Sequence, residues 1–280
     1  MESSNNIPSF IFIGPDKTGS SWLFEYLRSH PQCFVPECKD IYFFDRYFKK
    51  GASWYLSFFK SVNSNFSASG EICHDYLFSL DAANRIYSFN PEIKLLTSLR
   101  NPVDRSFSHY LYLVRSGITK TDFWSAIEEH PEIIDNSLYF KHLNGYFGLF
   151  PRQHICILDF STLKNSQSDY AATICEFLGI DFYDPSNIGI VRSAEKARSF
   201  YIAKLLKTMA SLVRDLGFPN LVGKIKHSRI ILLLYRSYRN EEMPTLSPSD
   251  RTSLEQYFIE DTKHLDSLIG TTYVKNWFGA

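Results

Sequence analysis

Phe10-Ile-Phe-Ile-Gly-Pro-Asp-Lys-Thr-Gly-Ser-Ser-Trp22 reads as a short apolar strand, a tight turn carrying one lysine, and the start of an amphipathic helix. Such a stretch assembles an anion site from three parts. Free backbone N–H groups lie at a helix N-terminus, a cation sits on the turn, and hydroxyls occupy the first helical turn. Gly19 lets the backbone approach a ligand closely. The lysine precedes the glycine, so the Gly-x-x-x-x-Gly-Lys-Ser/Thr order of nucleotide triphosphatases is absent. A solvated turn that only caps a helix is the plain alternative. A lysine where a small residue would suffice favours phosphate or sulfate.

Outward from this turn, apolar runs alternate with amphipathic ones. Phe10 to Ile13 is the first expected strand, and Ser20 to His30 the first helix, ended by Pro31. A short extended piece is expected at Phe34-Val35-Pro36, and a strand start at Ser69. Helices are expected at Asp81–Ser88 and from Pro102 to about Val114. Lys94–Leu99 and His154–Asp159 read as buried parallel strands, and Ser166–Leu178 as a helix closed by Gly179. This alternation implies an open α/β fold with a parallel sheet. Beyond residue 195 the chain reads as mainly helical, with a loop at Glu241–Asp250 and a last helix near Arg251–Leu268. No repeat or low-complexity linker interrupts it, so residues 1–280 are expected to form a single domain.

Composition narrows the partners. Lys+Arg and Asp+Glu both number 30, and this zero net charge lacks the basic excess of a nucleic-acid binder. The longest aliphatic run, Ile230-Ile-Leu-Leu-Leu234, cannot cross a bilayer, and no secretory leader opens the sequence. Cys33, Cys38, Cys73, Cys156 and Cys175 lack zinc spacing and read as reduced thiols of a cytoplasmic protein. His130, His142, His154 and His227 form no ligand cluster, so no metal is expected. Aromatic residues make up 16% of the chain. The stretches Ile41–Phe48, Trp54–Phe59 and Tyr139–Phe150 could line an apolar acceptor cleft or simply fill the core.

Arg100 directly follows the strand Lys94–Leu99, at the edge where α/β sheets bind ligands. Helical spacing brings Ser108 toward the same end, so both could approach one phosphate, or Arg100 could make a structural ion pair. Asp104 and Arg105 read as fold salt-bridge residues. A second basic set runs from Arg192 to Arg198 and is either a solvated helix start or the other half of a phosphate clamp.

These segments together resemble the nucleotide-sulfate-dependent sulfotransferases, especially the heparan sulfate branch and its bacterial relatives. "GPDKTGSSW" is similar to the loop that grips the 5′-phosphosulfate of 3′-phosphoadenosine 5′-phosphosulfate (PAPS). "LLTSLRNPVDRSFSHY" is similar to the segment whose arginine and serine bind the 3′-phosphate. "KDIYFFD", "GEICHDYL", "YFGLFPRQHICILDFSTL" and "MPTLSPSDRTSLEQYFIEDTKHLDSLIG" follow in the family's order. The resemblance implies a P-loop-like three-layer fold, PAPS as donor and adenosine 3′,5′-bisphosphate as product. It implies that Lys17 stabilises the departing 5′-phosphate, while Thr18, Gly19, Ser20, Ser21 and Trp22 supply the loop's amides and hydroxyl. Arg100 and Ser108 would hold the 3′-phosphate, with Arg192 and Arg198 as the basic loop over it.

The base is where the pattern departs. The heparan sulfate branch carries an acidic residue and a histidine where this chain has Asp40 and Tyr42. An aspartate sets its carboxylate about 1.5 Å further back than a glutamate. His74 matches the position of the catalytic histidine in cytosolic small-molecule sulfotransferases, and its chemistry suits proton removal from a hydroxyl. His74 is therefore the expected base, with Asp40 orienting it or replacing it, and Glu71 and Asp45 as supporting or acceptor-binding carboxylates. The acceptor expected is a hydroxyl on a small molecule, glycolipid or carbohydrate. A nucleotide or small-molecule kinase and a non-catalytic nucleotide-binding protein are the competing readings. The displaced lysine and the lack of an evident magnesium site disfavour the kinase.

Overall fold

The computed structural model describes residues 7–189, 195–197, 213, 235–237 and 243–279; Arg192 and Arg198 lie outside them. Two compact units divide the chain, Met1–Arg100 with Gly145–Val191 and Asn101–Asn144 with Arg192–Ala280.

The first unit carries a five-stranded sheet. Its strands are β1 (Phe10–Gly14), β2 (Cys33–Phe34), β3 (Ala68–Ile72), β4 (Lys94–Leu99) and β5 (Ile155–Asp159). They run in the order β2-β3-β1-β4-β5, and every pairing is parallel. β1 and β3 are buried along their whole length, as is β4 after Lys94, and β1 and β4 read as largely apolar runs, whereas β3 carries Ser69, Gly70 and Glu71. Phe10, Phe12, Ile72 and Leu96 share one core cluster with Leu23 and Leu27 of the helix Ser20–Ser29 and Ile174 of the helix Gln167–Leu178. Side chains alternate along a strand, so Glu71 points away from Ile72, to the opposite layer. There its carboxylate meets Tyr55, whose ring packs on Phe89 of the helix Leu80–Phe89. The result is a three-layer α/β fold with a central parallel sheet flanked by helices.

The strand order reverses between β1 and β4, and in such sheets the crevice beyond the carboxyl ends at this point receives ligands. Three adjacent strands end here. β3 leads into Cys73 and His74, β1 into the lysine turn, and β4 into Arg100.

The second unit is mainly helical. Asn101 caps the helix Pro102–Arg115 by accepting from the amides of Val103 and Asp104. Val103, Tyr110, Leu113, Phe123, Ile133, Leu254 and Phe258 form its core. Asp104 pairs with Arg251 at 2.6 Å. Arg105 is fully buried and donates to the carbonyl of Ile133 and to Ser137, so it serves the fold. Glu195–Ala197 and Tyr235–Ser237 pair antiparallel.

The expected boundaries hold within a residue or two at most elements, and β4 matches at both ends. The last helix starts at Pro248, ahead of the expected Arg251, because Ser247 caps it and proline is tolerated in the first turn. The helices Phe123–Glu129 and Glu132–Asp135 were not apparent in the sequence. Each is shorter than two full heptads and gives too little periodicity to read. No helix among the described residues is long and apolar enough to cross a membrane.

Candidate active site

The lysine turn is built from backbone constraints. Gly14 has φ 125° and Gly19 φ 91°, both in the region that disfavours a side chain. A Cβ on Gly14 would lie 2.4 Å from the carbonyl oxygen of His74, so the turn and the end of β3 touch backbone to backbone. Gly19 stands at the N-cap of the helix Ser20–Ser29 and offers no side-chain cap, which leaves the first-turn amides to another acceptor. Lys17 itself has φ 65°, a strained setting for a non-glycine residue.

Hydrogen bonds lock this turn onto the sheet. Thr18 is fully buried and its hydroxyl donates to Pro15 O at 2.8 Å. Thr97 of β4 donates to Gly14 O at 2.7 Å. Ser98 donates to Thr18 O at 2.8 Å and accepts from Tyr170 at 3.0 Å. The indole of Trp22 packs face to face on Tyr26, with centroids 5.1 Å apart, and belongs to the core.

Cations gather around the same turn. Arg100 donates to Lys17 O at 3.2 Å, and its guanidinium lies 5.0 Å from the centre of the Phe160 ring. Lys17 Nζ stands 3.6 Å from Asp16. Lys39 donates to the Ser20 hydroxyl at 2.9 Å and so ties the segment Lys39–Arg46 to the helix start. The sequence offered no reason to single out Lys39, because its partner lies 19 residues away.

Beside the turn stands a histidine between carboxylates. His74 Nδ1 lies 2.6 Å from Asp40 Oδ1, and the His74 amide donates to the same oxygen at 3.4 Å. Asp40 and Tyr42 have φ 65° and 58°, so the segment coils tightly enough to turn Asp40 back toward β3. The Asp40 amide donates to Ile72 O at 2.9 Å and fixes that approach. The other ring nitrogen, Nε2, lies 3.2 Å from Asp75 Oδ1. Asp75 pairs in turn with Arg46, whose guanidinium sits 3.9 Å over the Tyr42 ring. Burial pulls the His74 pKa down, but the charges of Asp40 and Asp75 and the Asp40 hydrogen bond outweigh it, and the imidazole titrates above its ordinary value.

Below this pair lies a buried carboxyl. Glu71 accepts from Tyr55 at 2.9 Å and Tyr76 at 3.1 Å through Oε1, while Oε2 has no partner. Burial pushes its pKa up to about 8 against the pull of the two hydroxyls. Tyr76 also accepts from the Phe44 amide at 3.3 Å. Glu71 is thereby a support beneath the segment Lys39–Arg46. Asp45 is pushed up to about 6 by burial beside Arg46. Phe43, Phe44, Tyr55 and Phe59 are almost wholly buried, so in this part of the chain the aromatic surplus is core.

Lys17, Thr18, Gly19, Ser20, Ser21, Trp22, Asp40, His74 and Arg100 thus all belong to the first unit, at or beside the carboxyl edge of its sheet. Ser108 lies on the helix Pro102–Arg115 of the second unit. Among the described residues no group of three or more histidine, cysteine or acidic side chains could hold a metal ion.

Known proteins resemble this chain in sequence and in fold. The chain is 27% identical over 188 residues to human heparan sulfate glucosamine 3-O-sulfotransferase 6, covering 62% of this chain and 52% of that protein. It is 31% identical over 140 residues to the Dictyostelium discoideum membrane-associated sulfotransferase kil1, covering 47% of this chain and 30% of that protein. The chain therefore spans about half or less of these relatives' length. Its fold is similar to the crystal structure of a sulfotransferase from Alicyclobacillus acidocaldarius, with TM-score 0.70, 22% identity, and coverage of 97% of this chain and 99% of that one. The model of the sulfotransferase domain matches residues 8–213, well over half of the sequence, and the chain belongs to that family.

Proposed function

We propose that this chain transfers a sulfuryl group from PAPS to a hydroxyl of a small-molecule, glycolipid or carbohydrate acceptor, in line and within one sulfotransferase domain. The observation that carries the reading is the Asp40–His74 pair, held beside a helix N-terminus that bears its own lysine. The amides from Thr18 to Trp22 would bind the 5′-phosphosulfate, and Lys17 would neutralise charge on the departing phosphate. Thr18 and Ser20 have hydroxyls already engaged with Pro15 and Lys39, which leaves their amides as the natural donors. Arg100 would bind the 3′-phosphate. Ser108, Arg192 and Arg198 are assigned to the same phosphate by motif position alone.

Asp40 fixes the proton of His74 on Nδ1 and orients the ring, so that Nε2 is the basic position. The acceptor hydroxyl gives its proton to Nε2 as its oxygen bonds to sulfur. The sulfur–oxygen bond to the phosphate breaks, and its electron pair stays on the phosphate. Asp40, Asp45 and Asp75 crowd the acceptor side, against Lys39 and Arg46. That local balance favours an uncharged acceptor over a polyanion.

The test is transfer of labelled sulfate from PAPS to a panel of hydroxyl acceptors, with ATP and magnesium as the competing donor. Lys17→Ala is expected to lower PAPS-dependent turnover by about 100- to 1000-fold. Normal turnover in that variant would overturn the reading. ATP-dependent transfer without PAPS would establish a kinase, and nucleotide binding without any transfer a binding protein.

A further inference from the structure

The peptide group between Thr18 and Gly19 is held from one side. Its carbonyl accepts from the Ser98 hydroxyl at 2.8 Å. A carbonyl only accepts, so the single proton of the Ser98 hydroxyl is committed to it. Toward its other partner Ser98 is therefore the acceptor, and the Tyr170 phenol donates to it at 3.0 Å. Each proton in the chain from Tyr170 through Ser98 to the Thr18 carbonyl thus has one direction. All three residues are buried, so water does not compete for these groups. Tyr170 is itself held in place by Trp22 of the helix Ser20–Ser29, whose ring meets it edge-on at 5.6 Å.

A trans peptide sets its N–H antiparallel to its carbonyl, and the bond after Thr18 is trans. With the Thr18 carbonyl turned to Ser98 of β4, the Gly19 N–H points the opposite way. Gly19 is half-buried, and its own carbonyl accepts from the Leu23 amide at 3.0 Å. Its N–H, by contrast, meets no acceptor among the described residues. It stands at the N-cap of the helix Ser20–Ser29, beside the amides of the first turn.

We propose that Ser98 and Tyr170 are positioning residues of the anion site, which aim the Gly19 N–H at the 5′-phosphate of the nucleotide through the Thr18 carbonyl. This rests on the lysine turn being the phosphosulfate site, and adds to it two side chains that stand behind the turn and touch no ligand. Aim matters because a hydrogen bond weakens steeply off its axis. An amide already oriented also needs no reorganisation when charge arrives. Without the Ser98 proton the Thr18 carbonyl becomes a buried acceptor with no donor. The peptide then gains by rotating that carbonyl toward another donor, and the Gly19 N–H turns with it. Tyr170 acts one bond further back. Its proton occupies a lone pair of Ser98 and so sets the serine hydrogen toward Thr18.

The experiment titrates the ¹⁵N-labelled full chain with adenosine 3′,5′-bisphosphate, reading the Gly19 amide by NMR and the affinity by calorimetry. In the wild-type protein the Gly19 amide proton is expected to move downfield on binding. Ser98→Ala is expected to weaken the bisphosphate by about 10-fold, and Tyr170→Phe, which removes a single oxygen, by about 3-fold. The Gly19 displacement at saturation should shrink in the same order, which a loss of general stability would not produce. Both residues act through one chain, so the double variant should bind no worse than Ser98→Ala alone. A wild-type Gly19 amide that does not respond, an unchanged affinity in Ser98→Ala, or losses that multiply in the double variant overturns the proposal. If Ser98→Ala fails to fold, Tyr170→Phe decides, and wild-type affinity with a full Gly19 displacement overturns it. No sulfate transfer is measured. A chain that transfers nothing could pass this test and an active sulfotransferase could fail it, so the two readings fail separately.

Discussion

The lysine turn and the segment Lys39–Arg46 meet the same crevice but are made differently. The turn is backbone: two positive-φ glycines, a helix N-terminus and carbonyls tied down by Thr97, Ser98 and Arg100. The segment is side chain: Asp40 against His74, Arg46 against Asp75, Lys39 against Ser20. A backbone site is specified by a few consecutive residues and tolerates little. A side-chain site draws on residues distant in sequence, here 19 to 34 positions apart, and can be retuned one pair at a time. Under the proposed function the turn takes one fixed donor group, and the segment is where acceptor choice resides.

Variants that touch one region and spare the other test this division. His74→Ala should show the largest effect, a loss of about 100- to 10,000-fold in turnover. Its affinity for adenosine 3′,5′-bisphosphate, measured by calorimetry, should be unchanged. Unimpaired turnover would transfer the base to Asp40 and dissolve the pairing. Arg100→Ala should do the opposite and weaken the bisphosphate by about 10- to 100-fold, while turnover at saturating PAPS falls far less. Equal losses in both quantities would mean that the two regions act as one.

The smallest effect sharpens the comparison from beneath. Glu71 has a folded pKa of about 8 against an ordinary 4.5, so its contribution to stability is whole below about pH 4.5 and is lost as pH rises through about 8. Glu71→Gln removes that slope. Near pH 5 its melting temperature should match the wild type, and near pH 9 it should exceed it by at least ~3 °C. Parallel melting curves across this range would show that Glu71 is not neutral in the folded protein.

The turn was legible in the sequence because its glycines, its lysine and its helix start all lie between Gly14 and Trp22. β4 and Arg100 were legible for the same reason, as an apolar run ends in an arginine with no intervening residue. Asp40 and His74 were both singled out, Asp40 either to orient the histidine or to replace it as base. Only the left-handed turns at Asp40 and Tyr42, which no composition rule announces for these residue types, make them partners. Asp75 and Lys39 gave no signal, since an aspartate after a histidine and a lysine before an aspartate are ordinary surface residues until their distant neighbours are known. The aromatic stretches left cleft and core open, because Phe and Tyr suit both, and Phe43, Phe44 and Tyr55 take the core alternative.

The contact of Gly14 with the carbonyl of His74 works as a spacer. It sets the separation between the lysine turn and His74 by van der Waals touch between two main chains, a length that holds as long as position 14 carries no side chain. Under the proposed function, residues of the segment Lys39–Arg46 can therefore be exchanged to suit a different acceptor while the line along which sulfur would travel keeps its length, because the ruler is made of backbone.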